Sequence, residues 1–171
     1  MQTAEQATDR MKELERIIGL KQDWLFRFAY LRVGKREDAE DIVQDVLLRL
    51  YRSKEGLTHI DDVERYLIRA LRNACIDYIR RRPPVVMTAL EGAAQILEDG
   101  DADKEIHEEY ERINKLLQMI PPEQAEIVRL HCNDGLTFRQ IAEVLDLSEA
   151  TAKSRYRYAI DKIRKAYEDS E

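Results

Sequence analysis

All four prolines of this 171-residue chain stand in two pairs, Pro83-Pro84 and Pro121-Pro122. A proline lacks the N–H that a helix interior needs and pushes the residue before it out of the α region. The first pair therefore ends the helical pattern that runs up to Arg82, while the second suits the first turn of a new helix, with Glu123 near its positive end. Only 6 glycines break the remainder, which is rich in Leu, Ile, Ala, Glu, Arg and Lys. Such a composition favours helices over a strand-rich fold with many tight turns. The expectation is an all-α protein of two small helical domains, residues 1–82 and 113–171, joined by a linker over 83–112 with a short helical turn around Thr88 to Leu97. A hydrophobic share of 44% is enough for real cores and excludes disorder throughout.

The net charge of -6 argues at first against nucleic-acid binding, which needs Lys and Arg to neutralise phosphates. Local charge reverses that impression. Between 65 and 82 stand Arg65, Arg69, Arg72, Arg80, Arg81 and Arg82 against Asp77 alone, and 137–165 holds seven Lys or Arg against four acids. The acidity lies between, with nine acids and one base from Glu91 to Glu111.

In the amino-terminal block, Met1 to Leu20 reads as a polar helical extension with Met11, Leu14, Ile17 and Ile18 on one side. Ala39, Ile42, Val43, Val46, Leu47 and Leu50 mark one buried side of a helix from about Glu37 to Arg52. Asp41, Gln44 and Asp45, at i, i+3 and i+4, share its outer side, either as a docking patch or as a solvated acidic face. The next helix starts near Asp61 or Asp62, where Asp61 and Glu64 have capping-box spacing, and runs to Arg82. Val63, Tyr66, Leu67, Ala70, Leu71, Ala74 and Tyr78 form its expected core stripe. Arg65, Arg69, Arg72 and Arg80 recur on another side beside Asn73 and Asp77, a face suited to a phosphate backbone and unstacked bases.

The carboxy-terminal block has the clearest local grammar. Gly135 closes the helix after Pro122, Thr137 and Gln140 form a capping box, and Ile141, Ala142 and Leu145 supply an apolar stripe. Asp146 stands where a left-handed turn residue is needed, and Ser148 is an N-cap for a helix to about Tyr167. This is helix-turn-helix spacing, with Ala152, Tyr156, Ala159 and Ile163 buried and Thr151, Lys153, Ser154, Arg155, Arg157 and Tyr158 available to a groove. An ordinary helical hairpin with a charged, solvated face is the competing reading.

Taken together, these segments resemble sigma factors of the extracytoplasmic-function type. The strings that carry the resemblance run from Asp38 to Val46, from Tyr66 to Arg82, and from Leu136 through Thr137-Phe138-Arg139-Gln140-Ile141-Ala142 to Ala150-Thr151-Ala152-Lys153-Ser154-Arg155. The resemblance implies a bacterial promoter-recognition subunit. Asp41, Gln44 and Asp45 would dock on core RNA polymerase. Arg69, Arg72, Asn73, Asp77 and Arg80 would hold the single-stranded minus-ten element, with a flipped base pocketed near Leu57 to Ile60. Lys153, Ser154, Arg155, Arg157 and Tyr158 would meet the duplex minus-35 element. An anti-sigma factor would be the usual regulator. Ala150, Ala152 and Tyr66 depart from the family's usual Gly, Val and Trp, which leaves promoter sequence open.

Three alternatives compete, one of them a protein-interaction module that regulates polymerase without reading DNA and for which the basic faces would be dispensable. A self-sufficient helix-turn-helix regulator explains 113–169 but not the first 82 residues. A small enzyme finds little support, because His59, His107 and His131 are scattered, no Gly-rich phosphate loop occurs, and His131 and Cys132 should point to different sides of their helix. No catalytic residue, metal or cofactor is expected, and Cys75 and Cys132 lack metal spacing. The amino terminus carries no basic, apolar signal sequence and the apolar runs are short, so a cytoplasmic chain without membrane insertion or an appended domain is expected.

Overall fold

The computed structural model describes residues 1–82 and 101–170, and among them all regular structure is helical. The turn expected around Thr88 to Leu97 lies outside the described residues. The chain divides into two compact units, Met1–Glu108 and Glu109–Glu171.

The first unit opens with α1, Gln2–Val33, which bends at Lys21 (φ -120°, ψ 16°). Leu14 and Ile17 of the amino-terminal extension are buried, as are Leu25, Phe28, Ala29 and Leu31 beyond the bend. Gly34, at φ 75°, ends the helix with its N–H donating to the Tyr30 carbonyl, a left-handed conformation that glycine adopts at little cost. Helix α2, Arg36–Arg52, folds back and buries Ala39, Ile42, Val46 and Leu50 of the expected stripe, while Val43 and Leu47 are half-buried. A single turn, α3 (Lys54–Leu57), precedes α4, Val63–Arg81.

Asp62 is the N-cap of α4, its carboxylate accepting the Arg65 N–H at 2.9 Å. Glu64 does not reach back to Asp61, as the spacing implied, but pairs with Lys21. The buried set on α4 is Val63, Leu67, Ile68, Leu71 and Cys75. This is rotated from the expected stripe: Tyr66 is 44% exposed, while Ala70, Ala74 and Tyr78 are half-buried. Both α1 and α2 pack on α4, so it buries an arc that takes in Ile68 and Cys75 and leaves Tyr66 outside. The Tyr78 hydroxyl reaches Asp38 of α2, which also accepts from Arg82 at 2.8 Å.

Residues 101–112, expected as linker, are helical, within α5, Asp101–Leu117. Its first two turns belong to the first unit. Arg36 grips the buried Asp103 with two N–H groups, Nε lying 2.6 Å from Oδ2, and the Tyr30 hydroxyl meets His107 Nδ1 at 3.1 Å. Pairing with Asp103, and then Glu40, pushes the Arg36 guanidinium further above its ordinary value against the opposing effect of burial.

The second unit takes up α5 at Glu109 and continues with α6, Pro122–Val128, in which Pro122 holds the first helical position. Its end widens into a π turn, Arg129–Asn133, and Gly135 at φ 74° closes it, with the Leu136 N–H donating to the Leu130 carbonyl. Helix α7, Phe138–Leu145, carries the capping box of Thr137 and Gln140. Asp146 turns the chain at φ 55°, the one positive φ outside glycine among the described residues. Helix α8, Glu149–Glu168, starts on Ser148, whose Oγ accepts the Thr151 N–H at 3.1 Å. Leu117, Ile120, Ala125, Val128 and Ala159 form one cluster of the core, with Ile113, Tyr156 and Ile163 packed against it, and Ile127, Leu130 and Ile141 are fully buried. Each such large side chain, fully buried, contributes about 1.5–3 kcal/mol.

Candidate nucleic-acid and protein interfaces

On α2 the buried stripe faces α1 and α4, which turns Asp41, Gln44 and Asp45 into water together. One turn further along the same strip stands Leu48, 50% exposed. Leu48 thus adds one apolar side chain to an otherwise acidic strip. Composition hid it, because Leu48 adjoins the half-buried Leu47 in sequence.

On α4 the exposed side chains Tyr66, Arg69, Asn73, Ile76 and Arg80, spaced three and four apart, form one continuous strip, and Ile79 and Arg81 are exposed as well. Three of the residues expected on this face differ in placement, Arg65 being half-buried. Arg72 is half-buried, and Asp77 is half-buried and paired with Arg80. The strip combines guanidinium groups, an amide and an aromatic ring, the groups that bind phosphates and stack on bases. Tyr66, assigned to the core from sequence, joins it instead. Between α2 and α4 lies an open cleft of about 660 Å³ lined by Ile42, Asp45, Leu48, Arg49, Arg52, Ala74, Asp77, Tyr78, Arg81 and Arg82.

On α8, burial of Ala152 and Ala159 fixes the register. Lys153 is 59% exposed and bonded to Glu149 at 3.1 Å, and Arg157 is exposed one turn on, its guanidinium 5.8 Å from the Tyr158 ring, which is 57% exposed. Ser154 is half-buried. Arg155 lies apart from this group, half-buried and reaching to within 4.0 Å of Glu123 on α6. The helix start is held from beneath by rings: His131 stacks on Phe138 at 4.3 Å, and Tyr156 meets both edge-on. His131 Nδ1 donates to the Leu136 carbonyl at 2.8 Å, while Cys132 Sγ lies 3.5 Å from the Tyr156 hydroxyl. Sequence spacing put His131 and Cys132 on different sides of a regular helix; the π turn lets both reach Tyr156.

Residues 18–83 match the family model described as Sigma-70 region 2, and residues 110–163 the one described as Sigma-70, region 4. The chain is 29% identical over 157 residues to the extracytoplasmic-function RNA polymerase sigma factor SigE of Mycolicibacterium smegmatis, covering 90% of this chain and 60% of that protein. It is 26% identical over 164 residues to the corresponding factor SigW of Bacillus subtilis, covering 90% of this chain and 88% of the relative. The chain belongs to the sigma-70 family, as a factor of the extracytoplasmic-function type. This sigma-70 chain thus spans about three-fifths of the SigE relative and most of SigW. The solved structure of the sigma factor RpoE in complex with the anti-sigma factor NepR from Bartonella quintana shares its fold, with a TM-score of 0.60 at 20% identity, covering 92% of this chain and 98% of that one. The helix-turn-helix lies in the region 4 match, and α2 and α4 lie in the region 2 match. Among the described residues no helix is long and apolar enough to cross a membrane.

Proposed function

We propose that this chain binds core RNA polymerase and directs initiation to promoters carrying a matched pair of minus-35 and minus-ten elements. The observation that carries the reading is the coexistence, on one chain, of an acidic strip on α2, a basic and aromatic strip on α4 and a basic recognition helix α8, each within a sigma-70 match. Asp41, Gln44 and Asp45, extended by Leu48, dock on the polymerase. The strip of α4, with Arg69, Asn73 and Arg80, Arg72 and Asp77 at its flank and Tyr66 for stacking, holds the opened strand, and the loop from Leu57 to Ile60 receives a flipped base. Helix α8 enters the major groove with Lys153, Ser154, Arg157 and Tyr158, and Arg155 meets the backbone at its side.

The two compact units, Met1–Glu108 and Glu109–Glu171, act as the two readers. The protein does no covalent chemistry, needs no cofactor and works in the cytoplasm, where its polymerase is. A relative's structure holds an anti-sigma factor, and control of this chain by such a partner follows the same pattern. Transcription by core polymerase from a promoter library, with and without the protein, tests the reading. Start sites that appear only with the protein and share two spaced elements support it. DNA binding by the free protein with no new start sites would leave a self-sufficient regulator instead.

A further inference from the structure

The region 2 match begins at residue 18, yet α1 begins at Gln2 and buries Leu14 and Ile17. The short turn at Gly34 and Lys35 folds α2 back along α1. Counted from that turn at equal rise, the last turns of α2 come level with the bend of α1 at Lys21, and α3 follows them. Helices α1 and α3 pack together, and Leu57, the last residue of α3, is as fully buried as Leu14. At the other end of the connection, Lys21 pairs with Glu64 in the first turn of α4 and lies 5.0 Å from the Trp24 ring. The part of α1 up to and including its bend at Lys21 therefore holds both ends of the segment between Leu57 and Val63.

The backbone of that segment transmits the hold. The Gly56 N–H donates to the Ser53 carbonyl at 2.9 Å, His59 to Gly56 at 3.4 Å and Ile60 to Leu57 at 3.2 Å, so consecutive tight turns fix His59 and Ile60 relative to Leu57. We infer that the part of α1 up to and including its bend at Lys21 is a positioning element for the loop from Leu57 to Ile60, and that Leu14, Ile17 and Lys21 set how strictly the downstream promoter element is read. This rests on the proposed function and names residues, mostly outside the region 2 match, that act through the loop without touching DNA.

Promoter-library selection with polymerase carrying the full-length chain tests it, comparing the wild type with Leu14→Ala, Lys21→Ala and Lys21→Arg. Discrimination against a downstream mismatch, about fivefold or more per position for a specific complex, should fall to about twofold in Leu14→Ala and Lys21→Ala. Upstream preference and affinity for core polymerase should stay, and Lys21→Arg should restore the wild-type profile. If Leu14→Ala does not fold, the Lys21 pair decides. Equal loss at both elements, or unchanged downstream discrimination in folded variants, overturns the inference alone. A wild type that selects no promoter overturns the function reading, and this inference with it.

Discussion

Tyr156 joins three pieces of the second unit, meeting the rings of His131 and Phe138 and the thiol of Cys132. The hydrogen bond with Cys132, and then partial burial, push its hydroxyl up to about 12. An unfolded tyrosine ionises near 10, so between the two values the folded chain keeps a proton that the unfolded chain releases. Stability from this source is complete below about pH 10 and is lost as the pH rises towards 12. Melting curves of the wild type and Tyr156→Phe across that window should converge as the pH rises; parallel curves would remove the assignment. Asp41 and Asp45 make a different case, because both are exposed and neither supports the core. Reversing both to lysine should leave helicity and melting unchanged while weakening binding to core polymerase at least about tenfold, by titration. Unchanged affinity would reduce the strip to a solubilising face.

Among the elements, the helix-turn-helix was the most legible in sequence, since each of its determinants is local. Thr137 with Gln140, Asp146 at φ 55° and Ser148 over the Thr151 N–H all stand where their side-chain chemistry required. Ser148→Ala should cost the second unit about 1 kcal/mol and fray the turn that presents Lys153, seen as a lower melting temperature. A neutral result would mean that tertiary packing, not the cap, fixes the start of α8. Helix α4 was legible in extent but not in rotation. Two neighbours, not a stripe of its own, decide which side is buried, and hence Tyr66 moved from core to surface. The start of α5 was hidden for another reason: Asp103 looks like one acid among nine until Arg36, distant in sequence, arrives beside it.

At the scale of the whole molecule, the chain keeps its charges apart, with acids on α2 and between Glu91 and Glu111, and bases on α4 and α8. On the proposed function each basic helix has a separate task, and the two readings are independent. Promoter-library transcription with core polymerase tests this directly, using Lys153→Ala and Arg157→Ala on α8, Arg69→Ala and Asn73→Ala on α4, and Arg139→Ala on α7 as a control. A lost bidentate base contact costs about 1–3 kcal/mol at one position, whereas a lost phosphate contact weakens all sequences alike. The α8 variants should change preference in the upstream element only, the α4 variants in the downstream element only, and Arg139→Ala in neither. Folded α8 variants that leave upstream preference intact, or that alter the downstream element instead, would contradict the account.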